Sequence, residues 1–301
     1  MTGGRTLHDA VTRARAVLAA AGVPSPGVDA VELAAAALGS DGADVRRRIV
    51  LRETPDAAAL DRFDALVEER SRRVPLQHLT GRAHFRRLTL EVGPGVFVPR
   101  PETEVVAGLA VAAARAAGPR PVVVDLCTGS GAIALAVADE VPEARVHAVE
   151  LSDLAHGWAA RNVEVTGLPV DLRVGDARTA FADLEGQVDV VVSNPPYIPD
   201  GAVPLDPEVR DHDPGVALYG RSADGLAVPL AVAARAAELL RPGGVLVMEH
   251  ADTQGAVLPA ALRASGSWVD VVDHPDLTGR PRVTVAVRAG QDAGPDPRLA
   301  P

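Results

Sequence analysis

Val188-Asp189-Val190-Val191-Val192-Ser193-Asn194-Pro195-Pro196-Tyr197-Ile198 decides the architecture. The apolar run over 188–192 reads as a strand buried on both faces, the pattern of a parallel sheet. Two consecutive prolines cannot extend a ladder or donate backbone hydrogen bonds, so the strand stops at them. An amide side chain, a proline-locked carbonyl and an aromatic ring therefore stand at the carboxyl edge of a sheet. Open α/β sheets bind their ligands at that edge.

The triplet has a chemical use. A planar NH2 group carries two hydrogens and needs two acceptors. The Asn194 side-chain oxygen supplies one and the Pro195 carbonyl the other, while the Tyr197 ring can lie against the flat face of the bound group. An amide nitrogen is a weak nucleophile because its lone pair is delocalised. Two acceptors on its hydrogens return density to it and aim the lone pair. The same residues also fit a plain Asn-Pro turn that caps a strand.

Working outward, strands and helices alternate from Pro121 onward. Strand patterns fall at 122–126, 146–150, 170–174, 188–192, 245–248, 268–272 and 283–287, with helical patterns in most gaps. The last two are joined by a loop without a helix, which predicts a closing antiparallel hairpin. The expectation is α/β: a doubly wound, seven-stranded, mostly parallel sheet of Rossmann-like type. Upstream, helical spacing covers 6–21, 28–38 and 55–72, the third with Thr54 as N-cap and Pro55 in its first turn. A further helix is expected over 103–117. Residues 76–98 change period: 85–92 alternate, Gly93-Pro94-Gly95 turns, and 96–98 run on as a second strand. The predicted organisation is a helical substrate-docking domain (1–75), a β-hairpin linker (76–98), the α/β domain (99–288) and a disordered tail (289–301).

Bulk properties narrow the function. The chain has 301 residues, 47% hydrophobic, with a net charge of −10. An acidic surface argues against direct binding of nucleic acid. Residues 1–90 carry 14 Arg against 11 Asp plus Glu, and the remainder 16 Arg against 29 acids, so an acidic partner would sit better on the N-terminal part. All 30 basic residues are Arg, which excludes Schiff-base chemistry and a Walker-type phosphate loop. One cysteine, Cys127, excludes an intrachain disulfide and a multi-cysteine metal site, and no metal is expected. No apolar run approaches membrane-spanning length and no signal-peptide pattern opens the chain, so a cytoplasmic protein is the expectation.

The first strand of the α/β domain runs into Asp125-Leu126-Cys127-Thr128-Gly129-Ser130-Gly131-Ala132 and a helix. Small residues let backbone approach a ligand, and a helix N-terminus offers free N–H groups suited to a carboxylate. Glu150 ends the second strand, where an acid accepts from ribose hydroxyls. Asp176, after the third, sits where an adenine amino group is met. Gly129 to Ala134 also match the G-x-G-x-x-A dinucleotide fingerprint, which fits an oxidoreductase and a methyltransferase equally well. The acceptor pair at the end of the fourth strand separates them, because hydride transfer has no need of it.

These residues resemble the class I S-adenosylmethionine-dependent methyltransferases. More narrowly, the chain resembles the bacterial release-factor glutamine methyltransferases (the PrmC or HemK family) over about residues 5–288. The marks are Gln77-His78-Leu79-Thr80-Gly81 with Phe85, Phe97-Val98-Pro99-Arg100-Pro101-Glu102-Thr103-Glu104, Asp125 to Gly131, Ser193 to Ile198, His212-Asp213-Pro214, Asp224-Gly225-Leu226, and Glu249-His250 with Gln254. The resemblance implies transfer of a methyl group from S-adenosyl-L-methionine to the side-chain nitrogen (N5) of the glutamine in the Gly-Gly-Gln motif of peptide chain release factors. By position it implies that Asn194, Pro195, Pro196 and Tyr197 hold the glutamine amide. Cys127, Thr128, Gly129, Ser130, Gly131, Glu150, Asp176, Ala177 and Asn194 would line the cofactor site. Arg100 and Glu102 either pair with each other or frame the glutamine channel. Cys127 stands where the family has Gly, Glu150 where it has Asp, Asp213 where it has Glu, and Ala251 where it has Gly. The rival readings are a glutamine methyltransferase acting on a ribosomal protein, an adenine-N6 nucleic-acid methyltransferase, and a dinucleotide-binding oxidoreductase.

Overall fold

The computed structural model describes residues 5–290, so residues 291–301 of the expected tail lie outside the described residues. The chain divides into two compact units. One holds residues up to Arg82, with Val92–Pro94 and Pro204–His212; the other holds Ala83–Glu91, Gly95–Val203 and the chain from Asp213 on.

The first unit is helical. Helix α1 (Leu7–Ala20) starts at Thr6, whose hydroxyl accepts from the Asp9 N–H, and buries Leu7, Ala10, Ala14 and Leu18 along one stripe. Helix α2 (Pro26–Leu38) has Pro in its first turn and stops at Gly39 in the left-handed conformation. Helix α3 (Gly42–Val50) is absent from the sequence expectation. It buries one residue, Val45, and so carries almost no periodic signal; its cap, Asp41, accepts from the Asp44 N–H at 2.7 Å. Helix α4 (Ala57–Ser71) is capped by Asp56, which accepts from the Ala59 N–H at 2.7 Å. The expected cap at Thr54 is thus two residues early. Helix α5 (Leu76–Thr80) ends at left-handed Gly81. Leu18, Leu33, Val45, Phe63 and Val67 form the core of this unit.

A buried charge cluster fastens Pro204–His212 to these helices. Arg70 donates through Nε to Asp29 Oδ2 at 2.7 Å and places Nη2 2.8 Å from Glu208 Oε1. Arg73 reaches the same Glu208 oxygen from Nη2 at 2.9 Å. All three members of the Asp29–Arg70–Glu208 set are nearly excluded from water.

The second unit opens with a hairpin of β1 (Arg82–Phe85) and β2 (Leu88–Glu91). Its turn lies at Arg86-Arg87 rather than at Gly93-Pro94-Gly95, and 96–98 form no strand. Arg86 takes φ 51°, unusual for a non-glycine. Its guanidinium holds the Glu140 carboxylate and donates to the Glu104 carbonyl at 3.1 Å, so tertiary contacts select this turn.

The sheet follows with α6 (Thr103–Ala116), β3 (Val122–Leu126), α7 (Ala132–Glu140), β4 (Arg145–Glu150), α8 (Asp153–Thr166), β5 (Val170–Val174), β6 (Val188–Ser193), β7 (Leu240–Glu249), β8 (Trp268–Pro275) and β9 (Pro281–Arg288). Strand order is β5-β4-β3-β6-β7-β9-β8. Strands β5 to β7 are parallel, and β9 is antiparallel to both β7 and β8. Alternate residues supply two cores. Val123, Val190, Val192 and Val247 face α6 and α7. Val122, Val124, Val191 and Met248 face the helices Ala227–Leu239 and Val257–Ala264. Burying one such Val or Leu contributes roughly 1.5–3 kcal/mol.

Direction of travel reverses between β3 and β6. The chain runs β3, β4, β5 to one side, then β6 and β7 to the other. That reversal is a topological switch point, where the carboxyl ends of parallel strands leave a crevice. Leu126 is paired with Ser193, and Ser193 with Met248, so the ends of β3, β6 and β7 lie level along this edge.

Candidate active site

The loop after β3 lines one side of the crevice. Cys127, Gly129 and Gly131 have φ of 68°, 59° and 84°, so three of its residues lie in the left-handed region. Glycine takes this conformation without cost; Cys127 pays about 1 kcal/mol for it. This is the strained member of the family departures, and burial also pushes its thiol pKa well up, so it is no nucleophile. Beside Gly129 there is open space where a Cβ would stand. A Cβ on Gly131 would instead press Leu135 at 3.3 Å and Ala159 at 3.6 Å. The loop is tied at both ends. Thr128 donates its hydroxyl to Asp125 Oδ2 at 2.6 Å, and the Ala134 N–H donates to the same oxygen at 3.1 Å. Asp125 is fully buried, and burial raises its pKa to about 7. Asn162 on α8 donates to the carbonyls of Ser130 and Glu91, both at 2.9 Å, and accepts from the Glu91 N–H at 2.7 Å.

Glu150, at the end of β4, turns back to the loop: Oε2 accepts from the Gly129 N–H and Oε1 from the Ser152 N–H, each at 2.8 Å. Its extra methylene, compared with the family's Asp, is used in that reach. Each oxygen keeps a lone pair for a further donor. Asp176 follows β5, but Arg178 chelates its carboxylate, donating from Nε at 2.9 and 3.0 Å. An adenine amino group would have to share this acceptor. Neighbouring Ala177 is buried.

The other side of the crevice is the end of β6. The buried Ser193 hydroxyl donates to the Leu126 carbonyl, locking β6 to β3. Asn194 donates through Nδ2 to Thr103 Oγ1 at 3.3 Å, which leaves Oδ1 as its free acceptor. Tyr197 donates through its hydroxyl to Glu249 Oε1 at 3.2 Å. Its backbone carbonyl accepts from Gln254 Nε2 at 3.0 Å, and the same nitrogen donates to the Asp224 carbonyl at 2.9 Å. Beneath this turn lies Gly225, at φ 75°, where a Cβ would stand 2.1 Å from the Tyr197 oxygen. Gly225→Ala should therefore destabilise the fold by about 1–3 kcal/mol and lower turnover with it. Thermal unfolding beside an activity assay checks this; an unchanged melting temperature would show that the turn yields freely.

Arg100 does not pair with Glu102. Its guanidinium meets Asp213 Oδ2 at 2.8 Å and lies 5.2 Å from the centre of the Phe97 ring. The shorter Asp213 thus still reaches the arginine. Burial raises the pKa of both Tyr197 and Glu249, and the charge of Glu102 adds a smaller push in the same direction. Ala251, in place of the family's Gly, has φ −65° and carries no strain. Thr103, Asp125, Glu249 and Gln254 lie in stretches quoted for the resemblance but carry no expected site role, and Asn162 lies in no such stretch; their side chains hold the candidates in place. Among the described residues no cluster of His, Cys, Asp and Glu could hold a metal ion, and no helix is long and apolar enough to cross a membrane.

Residues 9–81 match the family described as PrmC N-terminal domain, and residues 90–206 the family described as methyltransferase small domain. A protein of Streptomyces coelicolor named release factor glutamine methyltransferase is 55% identical, covering 93% of this chain and 97% of its own. One of the same name from Mycolicibacterium smegmatis is 50% identical, covering 94% and 98%. A Streptomyces pristinaespiralis protein named 4-amino-L-phenylalanine/4-methylamino-L-phenylalanine methyltransferase is 44% identical, covering 71% and 74%. Among solved structures, the T. thermophilus 16S rRNA N2 methyltransferase in complex with AdoMet and guanosine aligns at a TM-score of 0.50 and 24% identity, over 69% of this chain and 49% of that one, a likeness of fold. With this identity over nearly the whole of both chains, the protein is a methyltransferase and belongs to the release factor glutamine methyltransferase family.

Proposed function

We propose that the chain transfers a methyl group from S-adenosyl-L-methionine to N5 of the glutamine in the Gly-Gly-Gln motif of peptide chain release factors. The observation that supports this reading is the tethered amide of Asn194: Nδ2 donates to Thr103 Oγ1 at 3.3 Å, which leaves Oδ1 for a substrate donor just past the end of β6, the strand paired with β3 at the switch point.

The residues after β3 fit the donor. Open space at Gly129, the first turn of α7, where Asp125 takes the Ala134 N–H and Gly131 offers no capping side chain, and Glu150 with spare lone pairs match an amino-acid carboxylate and a ribose. When bound, S-adenosylmethionine supplies a methyl group made electrophilic by its sulfonium. The protein's part is to position and polarise. Asn194 Oδ1 and the Pro195 carbonyl take the two hydrogens of the glutamine NH2, and the Tyr197 ring borders the amide plane. As positive charge grows on the nitrogen, its N–H groups become stronger donors, so both acceptors bind the transition state better than the ground state. Alignment contributes several kcal/mol more. The proton becomes acidic once the methyl is in place, so no general base is needed. Burial pushes the Tyr197 hydroxyl pKa up, which keeps it a neutral donor to Glu249.

The test is mass spectrometry of a release factor incubated with enzyme and S-adenosylmethionine; one added methyl on the motif's glutamine is expected. Free 4-amino-L-phenylalanine, the substrate in a relative's name, serves as the competing acceptor. Methylation of the amine alone would reassign the substrate. We further assign docking of the folded release factor to the N-terminal helices, so the whole factor should show a lower KM than an isolated Gly-Gly-Gln peptide.

A further inference from the structure

Backbone and one buried amide side chain fasten the turn after β6. Ile198 donates its N–H to the Leu218 carbonyl at 2.8 Å, and its own carbonyl accepts from the Gly220 N–H at 2.9 Å. The preceding carbonyl, that of Tyr197, accepts instead from Gln254 Nε2 at 3.0 Å. The second hydrogen of this NH2 goes to the Asp224 carbonyl at 2.9 Å, and Gln254 Oε1 accepts from the Ala251 N–H at 3.0 Å. Gln254 is nearly excluded from water and ends the short turn Asp252–Gln254 that follows β7. Its amide therefore spends both hydrogens and its oxygen on backbone. The other two partners are themselves fixed. Asp224 Oδ1 accepts from the Ser222 hydroxyl at 2.6 Å and the Leu226 N–H at 3.1 Å. The Ala251 carbonyl accepts from Nδ1 of buried His250 at 2.8 Å, and His250 Nε2 lies 2.8 Å from Asp273 Oδ1. A Cβ on Gly225 would stand 3.0 Å from Gln254 Nε2 as well as against the Tyr197 oxygen, so the packing has no slack.

We propose that Gln254 is a positioning residue for methyl transfer, holding the Tyr197 carbonyl and thereby setting where the Pro195 carbonyl and the Tyr197 ring meet the substrate amide. This rests on the reading of Asn194, Pro195 and Tyr197 as the amide-binding turn. Pro195 and Pro196 each have a ring-locked φ, so little freedom separates the Pro195 carbonyl from the Tyr197 carbonyl, and a shift of one displaces the other. The far end of the Tyr197 ring is held by Glu249, whose Oε1 accepts from its hydroxyl at 3.2 Å. Both anchors of Tyr197 thus come from residues 249–254. Gln254 touches neither the reacting nitrogen nor the methyl donor in this account; its effect is alignment, where a misplacement of about 1 Å costs on the order of 10²-fold in rate.

The experiment measures kcat, the KM for S-adenosylmethionine and the pH profile on a release-factor substrate for wild type, Gln254→Met and Gln254→Glu. Methionine matches the length of glutamine and donates nothing, so kcat should fall about tenfold to a hundredfold with the KM for S-adenosylmethionine unchanged. Glutamate keeps an acceptor for the Ala251 N–H, but when ionised it turns a carboxylate toward two carbonyls. Burial and those carbonyls disfavour its charge, and the protonated acid regains one O–H donor for them. The kcat of Gln254→Glu relative to wild type should therefore recover as pH falls, while that of Gln254→Met should stay flat. Lost packing alone would not produce that recovery, and it is read within one variant even where Gln254→Met folds poorly. A Gln254→Met enzyme with wild-type kcat would overturn the assignment. So would a Gln254→Glu deficit that is the same at every pH, or a loss confined to the KM for S-adenosylmethionine. Each of these leaves the methyl-transfer reading intact, whereas a wild-type enzyme that leaves the glutamine unmethylated would overturn that reading itself.

Discussion

Asn194→Ala should lower turnover by about 10²–10³-fold while the affinity for S-adenosylmethionine changes far less. The variant removes Oδ1 and leaves the Pro195 carbonyl, so the substrate NH2 keeps one of two acceptors. The loss falls on kcat because the missing bond is one that strengthens as charge develops on nitrogen. Folding should survive, since the half-buried side chain makes a single hydrogen bond, to Thr103, worth about 1 kcal/mol. Asn194→Asp keeps an acceptor but offers Thr103 a competing carboxylate, and should fall between the two. Single-turnover rates with cofactor titration separate the effects. An alanine variant retaining more than about a tenth of wild-type turnover would remove Asn194 from the chemistry.

Parallel sheets explain why so much of this architecture was readable in the chain. Strands buried on both faces must be apolar throughout, and Val122 to Val124 and Val190 to Val192 announce themselves for that reason. The Pro-Pro stop after β6 and the small residues after β3 then locate the crevice, because strand ends and tight turns are local events. Features missed are those decided by distant partners. Strand β7 begins at Leu240, five residues before the Val245 expected to open it, since Pro242-Gly243-Gly244 reads as a turn, and the register of β6 on β7 shifts there. Arg86-Arg87 has no turn chemistry; Glu140, far along the chain, makes it a turn.

The site divides along the same line. Positions supplied by strand ends were legible as candidates: Glu150 ends β4, Asp176 follows β5, and Asn194, Pro195 and Tyr197 follow β6. Partners were not. Arg100 has an acid two residues away and takes Asp213, distant in sequence, instead, while its guanidinium lies over the Phe97 ring. Asp176 looked open and is held by Arg178. Thr103 and Glu249 stood in quoted stretches, yet nothing in their spacing tells that one meets Asn194 and the other Tyr197. Buried polar residues at the tip of a strand and the start of a helix are the signal that was available.

Arg70→Ala should cost the helical unit about 3–5 kcal/mol, the expected loss when one partner of a buried ion pair is removed. Each nitrogen of this guanidinium is engaged: Nε by Asp29, Nη1 by the Val74 carbonyl at 3.0 Å, Nη2 by Glu208. Alanine would leave the Asp29 carboxylate nearly fully buried without its cation, whereas Glu208 keeps Arg73. The damage should thus centre on α2 and α4 and spread to Pro204–His212, the segment that Glu208 anchors. Hydrogen exchange of the α2 and α4 amides reads the loss locally, which suits a chain of two compact units. Replacing both members, as Asp29→Leu with Arg70→Met, should recover most of it, because an apolar pair of similar size incurs no desolvation penalty. If the single variant exchanges like wild type, water or a neighbouring arginine neutralises Asp29, and the cluster is not what holds Pro204–His212 in place.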